Sequence, residues 1–279
     1  MRYFRWIVVI LAVAVTVLRI VLYIAKSDID VGPTISFKDN IDTFEVKCED
    51  NLDDLLKYVS AYDPQDGKIE DVTIEKQYFL NDNKSRVTFV AIDSDNNITK
   101  ATAKVVYTDY DGPKISMNSP CIYFVNDDSK TDISFSAYDK LGGGGDNNPE
   151  KGDISNRIKL IVDNGFKRRV SGVYPARAKV SNYYGTTREV NFNIYVFPRP
   201  FKETVELSEY IIYCSKGERP DFYKYIKSSS VNIGDITVDE NYGNAPFDAN
   251  TPGCYEVIYR VGEKNNETAF NRIVVVVGD

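Results

Sequence analysis

Residues 60–72, SAYDPQDGKIEDV, place a turn rich in acidic residues between two strand-like runs. The Asp66-Gly67 pair favours a tight turn, because glycine tolerates the positive φ that such turns need. Parts of the stretch recur. SAYD appears again at 136–139, and a glycine followed by Lys or Asp and then Ile recurs at Gly152 and Gly234. The turn is what recurs, so the stretch marks a structural repeat.

Three repeats follow from this stretch, at residues 32–108, 111–197 and 201–279. GPTISF begins at residue 32 and GPKISM at residue 112, and the repeats end on ATAKVVYT, VNFNIYVF and NRIVVVVG. Short alternating or β-branched runs separated by Asp, Asn, Gly and Pro turns are typical of β-sandwiches. We therefore predict an all-β chain of three tandem sandwich domains. The last strand lacks clean alternation, which predicts burial on both faces.

The connections also follow a pattern. The turn before each final strand aligns and places Asn97, Gly185 and Asn266 in one column, which predicts a hairpin turn with positive φ. The joint FPRPF at 197–201 is stiffened by its two prolines. By contrast, KLGGGGDNNPEKGD at 140–153 inserts a polar, glycine-rich tongue into the second repeat.

The N-terminal residues predict a single membrane-spanning segment. Residues 6–25 are almost wholly apolar and long enough to cross a hydrocarbon core of about 30 Å. Arg2 and Arg5 precede the run, which places residues 1–5 in the cytoplasm and the C-terminal bulk outside. We assign Trp6, Arg19 and Tyr23 as anchor residues, with Arg19 reaching toward the headgroups.

A cleaved signal peptide is the alternative to this anchor. Its small-x-small cleavage site is a poor fit, because Tyr23 lies two positions before the candidate cleavage at Ala25. Both interpretations export the rest of the chain.

Composition excludes several functions. The chain has no histidine, so Ser-His-Asp and Cys-His nucleophile systems are excluded. Of 34 basic residues, three precede residue 26, and the remaining 31 against 41 acids leave the exported part a net charge of −10. An acidic surface argues against nucleic acid as a partner. We predict no enzyme, since the acids lie in turn sequences where water keeps them ionised.

The repeats resemble the bacterial immunoglobulin-like (Ig-like) repeats of cell-surface proteins, which are related to cadherin-like modules. AYDPQDGKI at 61–69 and GCYEVIY at 253–259 carry the resemblance, and GVYPARA at 172–178 matches in part. The first repeat departs from the pattern with KSRVTFV, and the third with SSVNIGDI. The resemblance implies three Ig-like sandwiches forming an extracellular stalk, spacer or adhesive module without catalytic residues.

The acids of the first repeat leave two interpretations open. The loops carrying Asp63 with Asp66 and Asp93 with Asp95 are expected at the same end of a sandwich, where four carboxylates would suit Ca²⁺. The alternative is that Asp63 and Asp66 only cap the backbone N–H groups of a turn. We expect no cofactor apart from this calcium.

Two further patterns remain. Cys214 and Cys254 share the third repeat, and a disulfide between them would be permitted outside the cell. Two pairs of tyrosines, at 183 with 184 and at 223 with 225, could bind carbohydrate through exposed rings. Packing against other side chains is the ordinary role of tyrosine in a sandwich. We predict a membrane-anchored stalk or adhesion protein whose partner is a cell-wall polymer or surface protein. The alternative is a surface receptor for carbohydrate or protein with one specialised module.

Overall fold

The computed structural model describes residues 2–27, 32–80, 82–125, 134–142, 152–162, 165–242 and 245–278. Side chains in the N-terminal helix are described for residues 6–23. The chain forms two compact units. The first comprises Met1–Leu80 and Lys84–Thr108, and the second comprises Asn81–Asn83 and Asp109–Asp279.

The first unit begins with helix α1, Arg2–Ser27. Its 18 residues Trp6–Tyr23 have a mean hydropathy of 2.6, and none of their side chains is buried. Arg19 is the only charged residue among them. By length and composition α1 is able to cross a membrane, and it is the one such helix in the described residues. A signal sequence near the N-terminus would meet the same criteria.

The described residues of the first unit also form seven strands in two sheets. The strands are β1 (Thr34–Phe37), β2 (Thr43–Val46), β3 (Val59–Asp63), β4 (Gly67–Ile69), β5 (Val72–Phe79), β6 (Lys84–Ile92) and β7 (Ile98–Tyr107). One sheet has the order β1-β3-β4, and the other has the order β2-β7-β6-β5. Pairing is antiparallel except that β2 runs parallel to the last strand, β7.

The core of the first sandwich lies between these sheets. Val87, Phe89 and Ala91 of β6 are buried at alternate positions, as expected for a strand with one face on the core. Phe37 of β1 meets the ring of Phe89 edge-on, with 5.7 Å between centroids. This contact joins the two sheets across the core.

The second unit contains two further pairs of sheets. The strands of the second sandwich are β8 (Lys114–Met117), β9 (Ile122–Phe124), β10 (Phe135–Tyr138), β11 (Lys159–Val162), β12 (Gly172–Ser181) and β13 (Thr187–Phe197). Their sheets have the orders β10-β8 and β11-β12-β13-β9.

The third sandwich has the same plan. Its strands are β14 (Val205–Leu207), β15 (Ile211–Cys214), β16 (Ile226–Ser229), β17 (Thr237–Asp239), β18 (Gly253–Glu263) and β19 (Asn266–Val277). Their sheets have the orders β14-β16 and β15-β19-β18-β17. A short strand runs parallel to the last strand in every sandwich, as β2, β9 and β15 do. The predicted all-β fold of Ig-like sandwiches is confirmed.

The hairpins before the final strands are also confirmed, with a shift of one residue. Positive φ falls at Asn96 (68°), Gly185 (94°) and Asn265 (69°). The alignment of the repeats predicted positive φ at Asn97 and Asn266 instead. In the first hairpin the N–H of Asp93 bonds the carbonyl of residue 97, so residue 97 closes the turn and residue 96 makes it.

Strand β19 joins the second and third sandwiches. Its residues from 269 to 277 are all buried, which confirms the prediction of burial on both faces. Ile273, Val275 and Val277 lie in the core of the third sandwich. Val274 and Val276 lie in the core of the second sandwich instead. The last two sandwiches therefore share apolar packing across the predicted boundary at residues 197–201.

We expect a Val274→Ala substitution to destabilise the second sandwich although residue 274 belongs to the third. Losing two buried carbon atoms should lower the free energy of unfolding by about 1–2 kcal/mol. Hydrogen exchange of the full chain should then speed up in β12 and β13 as well as in β19. The matched control is Val275→Ala on the opposite face of β19, which should leave β12 and β13 protected. Equal effects of both variants on β12 and β13 would contradict a shared core.

Candidate functional site

The acid loop of the first sandwich is built as a capped turn. Asp63 ends β3, and its side chain is 1% exposed. Its Oδ1 accepts hydrogen bonds from the N–H groups of Gln65 at 2.7 Å and Asp66 at 3.0 Å. Gly67 follows with a φ of 78°. These are the contacts of an Asx turn, as the capping interpretation predicts.

Asp66 and Ser94 join this loop to the loop between β6 and β7. The backbone N–H of Ser94 donates to Asp66 Oδ2 at 2.7 Å, and its hydroxyl donates to Oδ1 at 2.8 Å. These two bonds, with the backbone one dominant, lower the pKa of Asp66 from its ordinary value of 3.8. The structure therefore places the two loops at the same end of the sandwich.

The second loop is organised around Asp93. Its Oδ1 accepts from the N–H groups of Asp95 at 3.0 Å and Asn97 at 2.7 Å, and its Oδ2 accepts from the side-chain amide of Asn97 at 3.0 Å. The side chain of Asp95 is exposed. Within the described residues no group of three or more His, Cys, Asp or Glu side chains is arranged to hold a metal ion. The calcium site thus stays a prediction.

The structure does not bring Cys214 and Cys254 together. Cys214 lies opposite Val277 and Cys254 lies opposite Val276, on the two sides of β19. Two strand spacings separate their Cα atoms by about 9–10 Å, whereas a disulfide needs less than about 7 Å. Both are free thiols, and burial raises the pKa of each.

The other sequence-predicted features are placed as follows. Trp6 and Tyr23 are 68% and 76% exposed on α1, where Arg19 is exposed as well. Tyr183 is half-exposed, with the guanidinium of Arg157 4.2 Å from its ring centroid. Of the glycine-rich tongue at 140–153, residues 140–142 and 152–153 are described, and residues 143–151 lie outside the described residues.

A charged pair that the sequence analysis missed lies in the shared core of the second unit. Arg272 of β19 is 0% exposed and Glu256 of β18 is 7% exposed. Arg272 Nη1 lies 3.4 Å from Glu256 Oε1. Arg272 is the only charged residue between positions 269 and 277, and this isolated charge in an apolar run could have predicted a buried ion pair. A lone charge inside an apolar strand requires a buried partner.

Glu256 links the third sandwich to β13 of the second. It accepts hydrogen bonds from the backbone N–H of Asn193 at 2.8 Å and from the hydroxyl of Tyr195 at 2.8 Å. Burial, followed by the nearby charge of Glu256, raises the pKa of Tyr195. The phenol therefore stays protonated and donates to the carboxylate at neutral pH. The guanidinium of Arg272 packs over the ring of Phe192, 5.2 Å from its centroid.

A groove of about 400 Å³ opens beside this carboxylate. Arg177, Asn191 and Asn193 line it from the second sandwich, and Cys254 and Glu256 line it from the third. Its polar groups include the positively charged guanidinium of Arg177, which donates hydrogen bonds, and the negatively charged carboxylate of Glu256, which accepts them. The groove therefore presents charged and polar groups, and the carboxylate of Glu256 already accepts hydrogen bonds from two nitrogen atoms of Asn193 and from the hydroxyl of Tyr195.

Comparisons with known proteins give no family. No protein-family model matches the sequence. No curated protein matches it either.

Several solved structures are similar over long stretches at low identity. CBM51-2 with INT domains from Clostridium perfringens ZmpB, in complex with GlcNAc, is 11% identical over 58% of this chain and 41% of that one, with a TM-score of 0.23. The protocadherin GammaB4 extracellular domain is 11% identical over 90% and 50%, with a TM-score of 0.22. Mouse cadherin-23 EC22-24 is 12% identical over 89% and 99%, with a TM-score of 0.22. The chain spans about half or less of the first two structures, and TM-scores this low carry no argument about function.

We expect a Ser94→Ala substitution to raise the pKa of Asp66 toward 3.8 without reaching it, because the backbone N–H still donates. Since the folded pKa is below the unfolded one, this bridge stabilises the fold above pH 3.8 and is lost as pH falls through the folded pKa. Carboxyl NMR titration of the full chain measures the change. The control is Ser94→Thr, which keeps the hydroxyl, and an unchanged pKa in Ser94→Ala would contradict the bridge.

Proposed function

We propose that the protein is a membrane-anchored extracellular spacer or interaction protein built of Ig-like sandwiches. Helix α1, with its exposed apolar side chains, supports a single membrane anchor. The arginines at positions 2 and 5 support a cytoplasmic N-terminus, because positive residues are retained inside. The acidic C-terminal bulk then lies outside the cell, where it stays soluble through its net charge.

The shared core of the second and third sandwiches carries this proposal. Val274 and Val276 of β19 pack into the second sandwich while their neighbours pack into the third. Separating the two sandwiches would expose these valines and leave Glu256 and Arg272 without their partners. A joint of this kind resists bending, which is what a protein needs to hold a binding surface away from the membrane.

The chemistry of the surface supports binding without catalysis. The acids of the first sandwich cap turns through Asp63 and Asp93, and Asp66 clamps two loops. The hydrogen bonds from Ser94 lower the pKa of Asp66, which makes this carboxylate a poor general acid. We propose a cell-wall polymer or a surface protein as the partner, and no nucleic acid because of the negative charge.

Membrane topology tests the proposal. The full chain is produced in a bacterial host, and intact cells with a permeable outer layer are treated with protease. We expect the chain to remain in the washed membrane fraction and the sandwiches to be degraded from outside. Deleting residues 6–23 is the control and should leave the sandwiches inside the cell. Protection of the sandwiches in intact cells would contradict the proposal, and release into the medium would show a cleaved signal.

The groove beside Glu256 favours a second candidate, a surface receptor for a small carbohydrate. We expect any soluble glycan that binds the full chain to bind an Arg177→Ala variant at least about tenfold more weakly, through the loss of charged hydrogen bonds. Calorimetric titration measures this ratio. Lys179→Ala is the matched control, because Arg177 and Lys179 both pair with Glu189 at 3.4 and 3.8 Å but only Arg177 lines the groove. Equal affinities for wild type and Arg177→Ala would exclude the groove.

A further inference from the structure

The second sandwich shows how the turn acid of the repeat is satisfied. Asp139 ends SAYD as Asp63 does, and it is 0% exposed. Its Oδ1 accepts from the N–H of Leu141 at 2.8 Å. Its Oδ2 accepts from the side-chain amide of Asn182 at 2.9 Å and from the hydroxyl of Tyr110 at 2.8 Å. Both oxygens of this buried carboxylate therefore have donors.

The first sandwich has the same hairpin hydrogen bonds as the second, but an aspartate replaces the asparagine that donates to the turn acid. Oδ1 of Asn182 accepts from the N–H groups two and four residues later, each at 2.9 Å. Oδ1 of Asp93 accepts from the N–H groups at the same two offsets, at 3.0 and 2.7 Å. Asp93 thus occupies the position of Asn182, and a carboxylate oxygen stands where the second sandwich has an amide nitrogen.

This exchange leaves one buried oxygen of Asp63 unsatisfied. Asp63 Oδ1 is used by the turn, and Asp63 Oδ2 is buried and accepts no hydrogen bond from the described residues. Asp93 is 9% exposed, and its Oδ2 accepts from Asn97, so it has no proton to donate while ionised. A buried carboxylate oxygen without a donor costs free energy. From the equivalence with Asn182, which donates to Asp139, we infer that the carboxylate of Asp93 faces this oxygen, where it would add repulsion.

We propose that a divalent cation of the Ca²⁺ class binds between the carboxylates of Asp63 and Asp93 in the first sandwich. Ca²⁺ takes oxygen ligands in flexible geometries and completes its shell with backbone carbonyls and water. The cation stabilises the carboxylate of Asp63, as the hydrogen bonds from the amide of Asn182 and the hydroxyl of Tyr110 stabilise Asp139 in the second sandwich. Asp139 is already satisfied there, so the second sandwich takes no cation at this position.

The geometry narrows the four-acid site that the sequence predicts to two acids. Both oxygens of Asp66 already accept hydrogen bonds from Ser94. The backbone N–H of Asp95 donates to Asp93 Oδ1, and the side chain of Asp95 is exposed to solvent. The described residues contain no group of three or more His, Cys, Asp or Glu side chains that could hold a metal ion, and the proposed site has two carboxylates.

The test uses the full chain in detergent micelles, freed of metal with a chelator and then titrated with CaCl₂. Hydrogen exchange read by mass spectrometry follows the backbone amides of residues 60–66 and 93–97. We expect millimolar Ca²⁺ to slow exchange there by about tenfold or more, as mass action on the folded state requires. Equal exchange with chelator and with Ca²⁺ would overturn the proposal.

An Asp93→Asn variant rebuilds the arrangement of the second sandwich and makes the test specific. Its Oδ1 can still serve the turn, as Asn182 does, while its amide nitrogen can donate to Asp63 Oδ2. We expect this variant to fold, to exchange slowly in chelator and to show no further slowing with Ca²⁺. A variant that still responds to Ca²⁺ would overturn the proposal.

Asp95→Asn is the matched control, because it removes a neighbouring negative charge and keeps both carboxylates of the site. It should respond to Ca²⁺ as the wild type does, and loss of its response would assign the effect to general electrostatics and overturn the proposal. Exchange that slows on acidification but not with Ca²⁺ would show a proton shared by Asp63 and Asp93, which also overturns it.

Discussion

The two-sided burial of β19 is the constraint on which the second unit depends. A strand whose alternate residues enter two different cores cannot be removed from one sandwich without opening the other. Arg272 on this strand makes the requirement stricter, because its charge needs Glu256 beside it. Glu256 in turn is held by Asn193 and Tyr195 of the neighbouring sandwich. Apolar packing holds the second and third sandwiches together, and the hydrogen bonds and ion pair of Glu256 fix how their strands align.

The turn acids show the same backbone put to different uses. Asp63 and Asp139 cap equivalent turns, and Asp93 and Asn182 organise equivalent hairpins. The side chains of Asp93 and Asn182 differ in one terminal atom, which is oxygen in Asp93 and nitrogen in Asn182. In the second sandwich that nitrogen closes a hydrogen-bonded network. In the first, Asp63 Oδ2 is buried and accepts no hydrogen bond from the described residues.

Much of the fold was predictable because it follows from local rules. Alternating apolar residues and Asp-Gly or Asn turns predicted the strands and hairpins, and the unbroken run after Arg272 predicted a strand buried on both faces. The positive-φ residue was misplaced by one position at Asn96 and Asn265, because turn residues of the same type stand side by side. The sequence does not show that Ser94 donates hydrogen bonds to both carboxylate oxygens of Asp66, because these residues are 28 positions apart in the chain.

By itself the sequence determined the sandwich repeats, the apolar N-terminal helix and the acidic net charge of the residues after this helix. These depend on residue type and spacing within a few positions along the chain. Only the tertiary structure decided that Cys214 and Cys254 lie on opposite sides of β19, that Glu256 receives Arg272, and that Asp63 keeps an unsatisfied oxygen. Each of these depends on which strands become neighbours, and strand order is set by packing between residues far apart in the chain.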